Sequence, residues 1–122
     1  MIYKNSNIDW SKIDAIIKKA QRILLTTHEN PDGDGLGAEI GIYYHLKEFG
    51  KDVRILNYSP LPTNFDFLNS DNIFETYNAT NDEKWISNVD LVIVFDVGDF
   101  KRTRTIADAV NRHKIKILNI DH

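Results

Sequence analysis

The sequence contains no cysteine. That excludes both a disulfide framework and a thiolate metal site, and it is compatible with a reducing cytosol. An apolar leader is also missing. The opening segment MIYKNSNIDW has no signal core, and no run approaches the roughly 18 apolar residues that span a bilayer. The expectation is a soluble, cytoplasmic protein with no membrane role. Positive charge is short as well, with 15 Lys and Arg against 18 Asp and Glu. No global basic field then draws the chain to nucleic acid, so a polyanionic partner would need positive charge supplied locally. Internal repeats, low-complexity tracts and linkers are absent too. At 122 residues the chain suits one domain with a true hydrophobic core.

What is present alternates. Residues 9–21 place Trp10, Ile13, Ile16, Ile17 and Ala20 at helical spacing, with Asp9 or Ser11 as the N-cap and Trp10 as a packing residue. The run 22–27 (RILLTT) reads as a strand, 35–50 as a helix with Gly50 at its C-terminal cap, and 52–57 (DVRILN) as a second strand. Residues 59–70 read as loop with a short helix, 73–77 as a short strand, and NATNDEK as polar loop. The apolar run at 91–95 suits a strand buried on both faces, followed by a helix over 101–112 and a last strand over 115–120. This order predicts an α/β fold, a Rossmann-like doubly wound parallel sheet with helices on both faces. The four main strands should run in the spatial order second, first, third, fourth. Ligands in such sheets bind beyond the carboxyl ends of the strands, where the order reverses.

Chemistry-bearing residues follow those strand ends. His28, Asp32 and Asp34 come after the first strand, Asp96 and Asp99 after the third, and Asp121 and His122 after the last. In a parallel sheet two histidines and four or five carboxylates would share one rim. Repulsion and desolvation in such a cluster cost several kcal/mol, on the order expected for unpaired buried charge, unless cations are present. Imidazole and carboxylate without thiolate suit Mn²⁺ or Mg²⁺, with Zn²⁺, Co²⁺ and Fe²⁺ also compatible. The number of carboxylates favours two ions sharing a bridging Asp, an arrangement that serves in-line displacement at phosphorus.

Plainer readings exist for each piece. NPDGDG alone suits a turn, Asp96 alone a helix N-cap, and His28 alone a structural role. An EF-hand starting at Asp32 fails because Leu36 stands where Asp or Asn is needed. A dinucleotide-binding glycine motif fails because Asp34 would repel a pyrophosphate. Three separate turns have no structural reason to converge on acids and histidines, so the joint placement favours a site. His45 and His113 read as structural or solvated. Arg102 reads as surface or as a phosphate contact.

The motif HENPDGDGLGA resembles the first motif of the DHH phosphoesterases, VFDVGDFKR resembles their second, and NIDH resembles the start of the Asp-His-His motif that names the family. Within the family, GKDVRILNYSPLPTNFDFL is most similar to the nanoRNase-type members, which are oligoribonucleases and adenosine 3′,5′-bisphosphate phosphatases. The resemblance implies a metal-dependent phosphoesterase acting on short RNA or nucleotide phosphates by a two-metal mechanism, with Mn²⁺ as the metal and Mg²⁺ or Co²⁺ as substitutes. It implies that His28 and Asp32 hold one metal, Asp34 and His122 the other, and that Asp96 bridges them. Asp121 would orient His122, and Arg102 would contact substrate phosphate. Other activities in the superfamily are cyclic-dinucleotide phosphodiesterase, RecJ-like single-strand exonuclease and family II-like inorganic pyrophosphatase; a non-catalytic nucleotide-binding module is the reading from another class. The motif's second His would be residue 123. By this resemblance residues 1–122 are expected to be an N-terminal catalytic domain without its C-terminal substrate-binding domain, inactive alone and open to self-association.

Overall fold

The computed structural model of the protein describes residues 2–4 and 10–121. Six strands form one sheet: β1 (Ile2–Lys4), β2 (Arg22–Thr27), β3 (Asp52–Asn57), β4 (Phe74–Thr76), β5 (Leu91–Phe95) and β6 (Lys116–Asp121). Every pairing is parallel, and the order is β1-β6-β5-β2-β3-β4. The four main strands thus stand as their sequence predicted. From the central pair β2–β5 the chain winds outward in both directions, so the switch point lies between those two strands.

Alternation along the strands sends side chains to two cores. Ile23, Leu25, Val53, Ile55, Leu91 and Ile93 pack beneath α1 (Trp10–Lys19) and α2 (Gly33–Glu48). Leu24, Leu56, Val92 and Val94 pack beneath α3 (Ala79–Ile86) and α4 (Thr105–Arg112). All five residues of β5 are buried, as a strand covered on both faces requires. Among the described residues no helix is long and apolar enough to cross a membrane.

Several elements differ from the sequence reading. Residues 2–4 form an edge strand against β6, too short to show a period of its own. The polar segment at 79–86 is a helix, not a loop. Asn78 caps it by accepting from the Asn81 N–H at 3.0 Å, while Asp82 accepts from the Asn78 N–H at 2.8 Å. Only Asp82 and Ile86 of that helix are buried, which explains its polar appearance. The single helix expected over 101–112 is broken: a 3₁₀ turn spans Phe100–Thr103, Arg104 takes φ +57°, and α4 then begins. A second 3₁₀ segment, Thr63–Asn69, supplies the short helix expected in the loop after β3. Trp10 is not a packing residue, being 69% exposed. Of the two expected caps, Ser11 lies inside α1 and so is not its N-cap, and Asp9 lies outside the described residues.

The ends of α2 carry the local code. Gly50 takes φ +73°, and the N–H groups of Gly50 and Lys51 donate to the Lys47 and Leu46 carbonyls at 3.0 and 3.2 Å. This is a Schellman closure, which a side chain at Gly50 would strain. At the other end Gly35 lies against β2, where an added Cβ would meet Thr27 Oγ1 at 2.6 Å. That contact brings the start of the helix down onto the strand end.

Candidate metal centre

Beyond the carboxyl ends of β2 and β5, the loops 28–32 and 96–104 face each other across the switch point. His28 is buried, with 7% exposure, and its Nδ1 lies 2.6 Å from the Glu29 carbonyl. A carbonyl only accepts, so Nδ1 carries the proton and Nε2 presents its lone pair. That atom lies 3.6 Å from Asp96 Oδ2 and 3.8 Å from Asp32 Oδ2. Neither separation is a hydrogen bond. Donor atoms about 2.1 Å from a common ion lie roughly 3–4 Å apart, so the gap is the size an ion needs. One ligand atom from each of His28, Asp32 and Asp96 falls within 4.8 Å of the others.

Asp32 divides its carboxylate between two tasks. Oδ1 accepts from the Gly35 N–H at 3.1 Å and caps α2, while Oδ2 is the atom turned toward His28. The bond from the Gly35 N–H is the main influence holding this carboxyl below its ordinary range, against the opposing effect of burial. One oxygen of Asp32 thus serves as a helix N-cap, and the other faces His28. Asp96 is not a helix cap. It takes φ +58°, a left-handed conformation uncommon outside glycine, and Asp99 caps the 3₁₀ turn by accepting from the Lys101 N–H at 3.0 Å. The Asp96 N–H donates to the Ile120 carbonyl at 3.0 Å, which fixes the turn at the end of β6.

The family described as "DHH family, N-terminal domain" matches residues 22–122. The chain belongs to the DHH family. The match takes in both loops of the cluster and all but the first strand and helix. Over 107 residues this DHH chain is 28% identical to the bifunctional oligoribonuclease and PAP phosphatase NrnA of Mycoplasma genitalium, a match that covers 87% of the chain and 31% of that protein. The chain thus spans about a third of the length of this curated relative. It is also similar to the crystal structure of an exopolyphosphatase-related protein from Bacteroides fragilis, with TM-score 0.83 and 23% identity over 92% of the chain and 34% of that structure. At that identity the likeness speaks for the fold.

Of the other residues singled out by sequence, Asp34 lies exposed in the first turn of α2 and outside the three-residue group. The Arg102 side chain is exposed, and its backbone carbonyl accepts from the Glu29 N–H at 2.9 Å. Asp121 ends β6 at the same edge of the sheet, and His122 lies outside the described residues. His45 is exposed on α2, and His113 pairs with Glu83 at 2.6 Å, both away from the cluster.

Sequence reasoning missed the supports beneath the DHH cluster. Asn57, at the end of β3, accepts from the Thr27 N–H at 3.1 Å and from the Thr26 hydroxyl at 3.4 Å. Its own amide donates to Glu39 Oε1 at 3.0 Å, and the Thr27 hydroxyl donates to the Phe95 carbonyl at 2.7 Å. The ends of β2, β3 and β5 are thereby tied together directly behind His28 and Asp96. Glu39 is fully buried and its Oε2 has no hydrogen-bond partner among the described residues; burial pushes its carboxyl up to about 8, against the opposing Asn57 bond. The only sequence signal was an acid on the apolar side of α2.

Proposed function

We propose that the protein is a metal-dependent phosphoesterase hydrolysing phosphoester bonds of short oligoribonucleotides or nucleotide 3′-phosphates. The observation that carries this reading is the convergence of His28 Nε2 with Asp32 and Asp96 oxygens at the switch point of a parallel sheet. An imidazole and two carboxylates with no thiolate fit a hard or borderline divalent ion, Mn²⁺ first, with Mg²⁺ and Co²⁺ as substitutes. When bound, a pair of such ions lowers the pKa of a water and neutralises phosphoryl charge.

The residues divide that work. His28 and Asp32 would hold the first ion, Asp34 and His122 the second, and Asp96 would serve both. Asp121 would support His122, and Arg102, exposed on the facing loop, would meet substrate phosphate. The choice of substrate is supported by the similarity to NrnA, whose name describes an oligoribonuclease and PAP phosphatase. Residues 1–122 serve as the N-terminal catalytic domain, and a C-terminal domain in cis serves substrate binding.

The test sets a diribonucleotide, adenosine 3′,5′-bisphosphate, cyclic di-AMP and pyrophosphate side by side with Mn²⁺, using the protein that carries this domain. Hydrolysis of either of the first two, lost with chelator, is the expected result. Preference for cyclic di-AMP or pyrophosphate would move the protein to another activity of the superfamily. Failure to bind Mn²⁺ at all would remove the metal-centre reading.

A further inference from the structure

Two loops supply the three candidate ligands, and His28 is the most buried of them, with side-chain exposure of 8% against 18% for Asp96 and 57% for Asp32. Among the described residues the His28 ring makes one hydrogen bond, Nδ1 donating to the Glu29 carbonyl at 2.6 Å. That carbonyl shares its peptide with the Asn30 N–H, which donates to Ser59 Oγ at 3.0 Å, so the direction of Nε2 depends on what holds the Glu29 backbone on both sides of its Cα. Glu29 in turn is held from both ends by the facing loop. Its N–H donates to the Arg102 carbonyl at 2.9 Å, and its carboxylate accepts from Arg104 Nε and Nη2, each at 2.7 Å. The paired fork geometry fixes orientation as well as distance. Arg104 also holds Glu29 below its ordinary carboxyl range.

Arg104 itself takes φ +57° and ψ −122°, backbone that glycine adopts freely and arginine does not. The break between the 3₁₀ turn and α4 occurs at this residue. A strained conformation persists where surrounding contacts determine it, and here the side chain it delivers reaches a residue 75 positions away.

We infer that Arg104, acting through Glu29, is a positioning residue that sets the ring of His28 and fixes the spacing between the His28 and Asp96 loops. The inference rests on the reading of His28, Asp32 and Asp96 as a metal centre. Arg104 lies outside the three-residue group and binds the Glu29 carboxylate; its effect passes through the Glu29 backbone. Outer partners of metal-binding histidines commonly change metal affinity by about 10- to 100-fold when removed. An exposed ion pair on its own does little for stability, so the two roles separate by experiment.

The test compares wild type with Arg104→Lys, Glu29→Gln and the exchange Glu29→Arg with Arg104→Glu. Three quantities are read: Mn²⁺ affinity by calorimetry, the His28 ring ¹⁵N shifts of the metal-free protein at a pH where imidazole is neutral, and the metal-free Tm. Arg104→Lys keeps the charge and loses the fork, so Mn²⁺ affinity should fall about tenfold while Tm stays near wild type. Glu29→Gln should do the same, and in both variants the His28 signals should shift from one Nδ1–H tautomer toward a mixture. The exchange should recover part of the affinity. Single variants that keep both the tautomer and the Mn²⁺ affinity would overturn the inference, as would a loss of affinity matched by a lower metal-free Tm. If wild type binds no Mn²⁺, the metal-centre reading fails, while the tautomer comparison still decides whether Arg104 aims His28.

Discussion

At the scale of single residues, side-chain oxygens in this protein hold more than one duty, and substitutions can separate them. Asp32 caps α2 with one oxygen and faces His28 with the other. Asparagine caps nearly as well as aspartate but carries no charge. Asp32→Asn should therefore keep stability near wild type and lose Mn²⁺ binding, whereas Asp32→Ala should lose both, with a further cost of about 1 kcal/mol. Equal melting of the two variants would mean that the cap contributes nothing. Glu39 gives a second case, with pH as the variable. Its folded carboxyl titrates at about 8, above the ordinary 4.5. Between those values the folded protein holds a proton that the unfolded chain has released, so stability falls as pH rises through that window. At pH 7 the penalty is about 3 kcal/mol, an order-of-magnitude figure for a fully buried group. Glu39→Gln keeps an acceptor for Asn57 and cannot ionise. Its Tm relative to wild type should climb from pH 5 to pH 8; a difference that is flat with pH would show that Glu39 does not titrate in the window.

Elements meet through small residues and turns, and here legibility in sequence was uneven. The closing glycine of α2 could be read because it acts within a few residues of the helix it ends, whereas the cap at Asp32 starts the helix two residues before the expected 35. The helix at 79–86 could not be read as easily. It buries only Asp82 and Ile86 and lies against α4, so its apolar stripe is too thin to show a period. The break at Arg104 was hidden for another reason: nothing in KRTRTIADAV marks positive φ, and the Glu29 that rewards it stands 75 residues earlier. Asn57 and Thr27 were missed likewise, because their bonds join strand ends that are distant in sequence. The contact between α2 and β2 gives a test at this scale. Gly35→Ala would drive a methyl to 2.6 Å from Thr27 Oγ1, so the Thr27 side chain, with its bond to Phe95, or the helix itself must shift. A loss of about 1–3 kcal/mol is expected from such overpacking, together with weaker Mn²⁺ binding, because Thr27 stands next to His28. Unchanged denaturation and metal titration would mean that the helix start relaxes freely.

For the molecule as a whole, topology was the most legible feature, since buried parallel strands announce themselves as apolar runs and each is followed by an element that must return across the sheet. That topology brings His28 and Asp96, 68 positions apart in number, to one switch point. On the proposed reading an ion would join loops from two different strands, and metal binding and folding would then be linked quantities. A ligand that binds only the folded state stabilises it by about 2.7 kcal/mol at a hundred times its Kd. For a chain of this size that corresponds to a rise in Tm of roughly 10 °C. Mn²⁺ should produce a rise of this kind, and chelator should reverse it. The informative control is Asp96→Asn, because asparagine accepts the φ of +58° that Asp96 adopts. The variant should melt near wild type without metal and show no Mn²⁺-dependent rise. A shift that survives in Asp96→Asn would place the ion elsewhere on the protein, and one that disappears equally in His45→Ala, on the exposed surface of α2, would show that the stabilisation is not specific to the switch point.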